Sequence, residues 1–317
     1  MGMLYPPIEP RSQGLLDVGD GHHLYWEECG NPQGQPVVFL HGGPGAGCSV
    51  QSRRFFNPEK YRAILFDQRG CGRSTPHGST EHNDLAHLVK DLERLRQHCS
   101  VEAWVLFGGS WGSTLALAYA QAHADRVTGL LLRGVFTGSA AELDWLYAEG
   151  GASRLFPEAW AKFSTALGDD HSGDLLATYA NHLSRGDRAD QVQAALAWCA
   201  WEDSLCSIES EVPSRLDPDA CWAMARISAH MFVHDADLKT GLAWQKPHGQ
   251  ASPPCSTVPC TVVQGRFDVV TPMATAWGLH QAWPGSKLRV VHNAGHSSSD
   301  PALQQALVEA LDGLVFH

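Results

Sequence analysis

The sequence predicts an α/β protein: a mostly parallel central sheet with helices on its faces, interrupted by an inserted helical lid. Three observations carry this expectation. Short, continuously apolar runs (Val37 to Leu40, Ala63 to Phe66, Ala103 to Phe107, Gly129 to Leu132) alternate with helical patterns between about residues 36 and 135, as buried parallel strands joined by crossover helices do. From about Thr137 to Gln250 the pattern changes to helical segments carrying Trp145, Trp160, Trp198, Trp201, Trp222 and Trp244, with few strand signals. The strand pattern then resumes with Cys260 to Val263, a helix around Pro272 to Trp283, Leu288 to Val291 and a C-terminal helix from Pro301 to Leu311. We therefore expect residues 1–136 and 251–317 to form one domain and 137–250 a helical lid, whose tryptophans mostly pack its core.

Each element follows from local chemistry. Leu15 to Val18 and His22 to Glu28 flank Asp20-Gly21, which supplies the positive-φ turn of a β-hairpin. Leu85, Leu88, Val89, Leu92 and Leu95 recur at helical spacing and lead into the strand Ala103 to Phe107. Ser113 to Ala122 is rich in Ala and Leu and free of Gly and Pro, so it reads as a buried helix. Pro247 to Pro259 is a Pro/Ser-rich return linker, and no internal repeat interrupts the order.

Composition narrows the class. With 317 residues and 44% hydrophobic content the chain has ample material for a large core. No apolar run approaches membrane-span length, and the N-terminus lacks the order of a signal peptide. Nine cysteines without C-x-x-C spacing suit free thiols in a reducing compartment, so a cytoplasmic location is expected. A formal net charge of −11 argues against nucleic-acid binding and is compatible with cationic small substrates. The 17 histidines contain no H-E-x-x-H pattern, so no metal site is expected.

The chemistry is concentrated in Gly108-Gly109-Ser110-Trp111-Gly112, which follows a strand and opens a helix. A G-x-S-x-G turn in that context exposes a serine hydroxyl at the carboxyl end of a sheet. A serine needs a base, and the base an orienting carboxylate. Asp268 follows the strand Cys260 to Val263, and His296 follows Leu288 to Val291, so both are expected at the edge where Ser110 emerges. An oxyanion requires two aimed N–H groups: Trp111 supplies one, and Gly43, in His41-Gly42-Gly43-Pro44-Gly45 after the strand Val37 to Leu40, the other. Cys71 has no base paired to it in the sequence pattern and is not read as a nucleophile.

These motifs, with Asp67-Gln68-Arg69-Gly70-Cys71-Gly72-Arg73-Ser74, Leu132-Arg133-Gly134-Val135-Phe136-Thr137, Gly265-Arg266-Phe267-Asp268 and Ala294-Gly295-His296, resemble the prolyl aminopeptidases (proline iminopeptidases) among α/β-hydrolases. The similarity runs nearly end to end. It implies a cofactor-free serine exopeptidase that removes an N-terminal residue, usually proline, from small peptides or aminoacyl derivatives bearing a free amine. It further implies that Glu202 binds that amine, that Phe136 and Phe232 line the pocket, and that Arg133 positions an acid of the lid. The chain departs from the family at Ser228, where a second glutamate is expected, at Leu146, where a tyrosine is expected, and at Thr271, where cysteine is frequent. These departures are expected to alter the substrate and leave the Ser110 machinery untouched, keeping an amino-acid amidase or aminoacyl esterase as the alternative. Glu209, Glu211 and Asp235 are candidates for the second acid. A noncatalytic receptor of the same fold is disfavoured by the complete triad, and an aspartate-nucleophile hydrolase by Ser110.

Overall fold

A computed structural model describes residues 4–168, 173–206, 208, 217–235 and 255–314. The hairpin forms as the Asp20-Gly21 turn requires, with φ of 56° and 76° at those residues, joining β1 (Ser12–Gly19) to β2 (His22–Gly30). Six further strands follow: β3 (Gln35–Leu40), β4 (Tyr61–Phe66), β5 (Trp104–Ser110), β6 (Val127–Val135), β7 (Cys260–Gly265) and β8 (Lys287–Val291). They form one eight-stranded sheet in the order β1-β2-β4-β3-β5-β6-β7-β8. The β1/β2 and β2/β4 pairs are antiparallel and the other pairs are parallel.

Alternate residues of each strand point to opposite faces, and both faces are covered. Val38, Leu40, Ile64 and Leu106 pack with α1 (Leu85–His98) and α2 (Trp111–Ala122). Val37, Ala63, Val105 and Phe107 pack on the other side with Leu303, Leu307 and Leu311 of the C-terminal helix (Pro301–Asp312). Burial on both faces is why β3, β5 and β6 read as unbroken apolar runs rather than alternating ones.

Between β6 and β7 the described chain is helical: α3 (Ala140–Tyr147), α4 (Pro157–Thr165), α5 (Leu175–Ser184), α6 (Arg188–Cys206) and α7 (Pro218–His234). Trp198 and Trp201 are buried among them. Trp244, the expected boundary at residue 250 and the first part of the return linker lie outside the described residues. After β7 come α8 (Met273–Ala282) and, after β8, the C-terminal helix, α9.

Two glycines let α2 cross against the sheet. A Cβ on Gly112 would lie 2.0 Å from the Leu40 carbonyl oxygen, and one on Gly108 would lie 2.2 Å from the Gly112 carbonyl oxygen. Both obstacles are backbone, so a methyl group there cannot be accommodated by a rotamer change. Gly112→Ala is expected to cost at least about 3 kcal/mol in denaturant unfolding. Gly129→Ala, whose Cβ would meet nothing nearer than 3.8 Å, is the control and should stay within about 1 kcal/mol of the parent.

Candidate active site

Ser110 closes β5 and caps α2 with φ 56° and ψ −126°, a region that non-glycine residues occupy only when their surroundings enforce it. Here the enforcement is the close crossing at Gly108 and Gly112. The turn leaves Trp111 N–H in the first turn of α2, where the helix offers it no acceptor. Above the serine runs the loop after β3: a Cβ on Gly42 would lie 3.3 Å from Ser110 Cβ and 3.8 Å from its Oγ. Gly43 has φ 108°, and a Cβ there would lie 2.7 Å from Gly45 N. Only glycine suits that position.

Gln68 is the residue that holds this loop to the elbow, and no role for it was read from sequence. Its Nε2 donates to His41 O (3.0 Å), its backbone N–H donates to His41 Nε2 (3.0 Å), and its Oε1 accepts from Trp111 Nε1 (2.9 Å). With Nε2 accepting, His41 donates through Nδ1 to Gly42 O at 2.9 Å. Burial holds the His41 pKa below its ordinary value, in keeping with a neutral bracing ring. Cys71 is wholly buried, with its Sγ 3.0 Å from Gln68 O and 3.4 Å from His41 Nε2. Burial raises its pKa well above the ordinary thiol value.

Asp268 and His296 are brought together after β7 and β8, with His296 Nδ1 2.9 Å from Asp268 Oδ2 and 3.0 Å from Oδ1. The carboxylate is also fixed by Thr271 N (2.8 Å), Thr271 Oγ1 (2.8 Å) and Gln264 Nε2 (3.1 Å). This corrects one expectation: the departure at Thr271 lies within the hydrogen-bond network of the Asp268–His296 pair, 3.3 Å from His296 Nδ1, and is not confined to the substrate pocket. Arg133 also differs from expectation. Its Nη1 lies 3.1 Å from His296 Nε2 and 2.9 Å from His296 O, and no described carboxylate forms an ion pair with it. The His296 loop is anchored to the inserted helices, because His296 N and Ser297 N both donate to Cys206 O, at 3.0 and 2.9 Å.

A cavity of about 340 Å³ brings together Ser110, His296, Arg133, Phe136, Phe232 and Glu202, with Gly43 on its wall. Phe136 and Phe232 meet edge to face with ring centroids 5.7 Å apart. Leu146 is buried at the wall, but the next residue, Tyr147, supplies an aromatic ring 5.9 Å from Phe232. Glu202 Oε1 accepts from Tyr147 OH (2.6 Å) and Trp198 Nε1 (2.9 Å), while Oε2 has no hydrogen bond among the described residues. Burial raises the Glu202 pKa to about 7 against the lowering effect of those two donors, and Asp203 adds to the rise. Trp198, Glu202 and Cys206 lie at i, i+4 and i+8 of α6 and share one face. That spacing is the signal from which the Trp198 contact was legible.

Ser228, on α7, carries no charge into the cavity; its hydroxyl donates to Pro44 O at 2.9 Å, tying α7 to the loop over Ser110. Asp235 accepts from Leu85 N at 2.7 Å and so serves the start of α1, and Glu209 and Glu211 lie outside the described residues. A larger cavity of about 950 Å³ shares Tyr147 and Phe232 with the first but contains none of Ser110, Asp268 and His296. Among the described residues one group has potential metal-ligand atoms within 4.8 Å of one another, Asp20, His82 and His87. None of the three lines the Ser110 cavity.

Comparison with known proteins agrees with this fold. Residues 35–302 match the alpha/beta hydrolase fold family. The chain is 45% identical to a proline iminopeptidase of Arabidopsis thaliana, over 97% of this chain and 80% of that one. It is 44% identical to a proline iminopeptidase of Neisseria meningitidis serogroup A, over 99% of each chain. Among solved structures, a proline iminopeptidase-related protein from Thermus thermophilus superposes with a TM-score of 0.61 at 21% identity, covering 97% of this chain and 99% of that one. An esterase from Exiguobacterium antarcticum gives a TM-score of 0.58 at 22% identity over 95% and 100%; these two likenesses speak for the fold alone.

The Glu202 environment has a consequence for stability. In the unfolded chain its carboxyl ionises near the ordinary 4.5, and in the folded protein only near about 7. Below the lower value both states are protonated and no penalty arises; as pH rises through the interval the unfolded state is favoured. Glu202→Gln should therefore be more stable than the parent above pH 7, by up to about 3 kcal/mol. The difference should vanish near pH 4, as read from denaturant midpoints at the two pH values.

Proposed function

The chain belongs to the proline iminopeptidases, serine hydrolases of the α/β-hydrolase fold, and we propose that it releases N-terminal proline from peptides through an acyl-enzyme on Ser110. The observation that carries the residue assignment is Glu202: a half-buried carboxylate with one oxygen held by Tyr147 and Trp198 and the other without a hydrogen bond among the described residues, in the same cavity as Ser110. Such an oxygen suits a cationic amine, and an enzyme that binds the terminal amine beside its nucleophile cuts after the first residue. Phe136, Phe232 and Tyr147 supply apolar walls for a proline ring.

In the proposed reaction Ser110 Oγ attacks the carbonyl carbon of the first residue while His296 Nε2 takes its proton. Asp268 holds the Nδ1–H tautomer and stabilises the imidazolium. The oxyanion is received by the N–H groups of Gly43 and Trp111. His296 returns the proton to the leaving amine, then draws one from the water that hydrolyses the acyl-enzyme. We infer that α3 to α7 act as the lid that carries the amine-binding group. The nine free cysteines are consistent with a reducing, cytoplasmic setting.

Ser110→Ala should fold and lose at least about ten-thousand-fold in kcat. Glu202→Gln should lower kcat/KM on prolyl naphthylamide by roughly a hundredfold, the cost of leaving a cationic amine without its carboxylate. Its effect on an N-acetyl-prolyl ester should stay within about threefold, because that substrate brings no amine. Equal losses on the two substrates would remove Glu202 from amine recognition.

A further inference from the structure

Arg133 is a cation in the reaction cavity with no anionic partner among the described residues. It leaves the sheet on β6 beside Gly109, its register partner on β5, and its guanidinium packs against that glycine, with Nη2 2.6 Å from where a Cβ would stand. Among the described residues its only hydrogen bonds are made by Nη1, to His296 Nε2 and His296 O. Nε and Nη2 have no acceptor there, and burial lowers the Arg133 pKa against the attraction of Asp268. A half-buried guanidinium with a free donor edge is a receptor for a carboxylate, which it can grip with two parallel hydrogen bonds.

The same contact bears on the base. His296 Nε2 is the lone pair that must take the Ser110 proton, and it is engaged by Arg133. An anion that drew the guanidinium aside would free it. The cavity is also polarised, with Glu202 contributed by the inserted helices and Arg133 by the sheet.

We propose that Arg133 binds the free C-terminal carboxylate of a dipeptide substrate, and that this binding releases His296 Nε2 to act on Ser110. The preferred substrate class is then the zwitterionic dipeptide, its amine on Glu202 and its carboxylate on Arg133. The proposal rests on the aminopeptidase reading and adds the second residue's carboxylate as a recognised group.

The test compares kcat and KM for Pro-Ala with those for Pro-Ala amide, which differ only in that charge. The native enzyme should prefer the acid at least about tenfold in kcat/KM, with part of the preference in kcat because the base is freed. Arg133→Gln should bring the ratio near one by losing rate on the acid and gaining it on the amide, a gain that a damaged fold would not produce. Arg133→Lys, which keeps the charge without the fork, should retain part of the preference. Equal native rates on the two peptides, or a native ratio preserved in Arg133→Gln, would overturn the carboxylate site and leave the aminopeptidase reading intact. Failure of the native enzyme to release proline from either peptide would overturn the aminopeptidase reading itself, and this inference with it.

Discussion

The arrangement depends on one carbonyl. Cys206 O, at the end of α6, accepts from the backbone N–H groups of both His296 and Ser297, and Glu202 lies one turn earlier on the same helix. Two backbone hydrogen bonds contribute only about 1 kcal/mol each to stability, so their importance is geometric. The sheet supplies Ser110, Asp268 and His296, and the inserted helices supply Glu202. A displacement of α6 would move the Glu202 carboxylate and the His296 loop together. Ser228 makes a second joint, from α7 to Pro44, and at Gly45 the helix comes so near that a Cβ would lie 3.0 Å from Met224 Cα. Loss of the glutamate that the family resemblance leads one to expect at 228 thus coincides with a neutral tie between α7 and the loop above Ser110.

Preorganisation on the sheet side has a different origin. The strained backbone of Ser110 is held by glycine-mediated contacts on either side, and the neighbouring loop after β3 is braced by Gln68 through His41 and Trp111. These are backbone and buried side-chain contacts with little freedom to relax, which suits donors that must already be aimed when charge develops. Glu202 shows the opposite: a half-buried carboxylate whose ionisation is opposed by its surroundings, at a cost to stability.

Much of this was legible in the sequence. The parallel strands announced themselves as unbroken apolar runs because both of their faces are buried, and Asp20-Gly21 fixed the hairpin through its positive φ angles. Ser110, Asp268 and His296 were legible because each follows a strand and strand ends converge on one edge of the sheet. The contacts that escaped are those made across the fold. Gln68 sits in a loop whose motif gave no indication that its side chain would join the β3 loop to α2. Thr271 read as a pocket residue because nothing local reveals that its hydroxyl reaches Asp268. Tyr147 was overlooked beside Leu146, since one helical step decides which of two neighbours presents its ring to the carboxylate. Arg133 was assigned an acidic partner, and the sheet register instead sets it beside Gly109 and His296.

The central claim is that the substrate amine is held by Glu202 while its carbonyl lies at Ser110. The most direct measurement is a crystal structure of the Ser110→Ala protein with a prolyl dipeptide. The account predicts the proline nitrogen about 3 Å from Glu202 Oε2, the ring against Phe136 and Phe232, and the scissile carbonyl oxygen directed at the N–H groups of Gly43 and Trp111. A peptide bound with its amine away from Glu202, or lodged in the larger cavity beyond Tyr147 and Phe232, would contradict it.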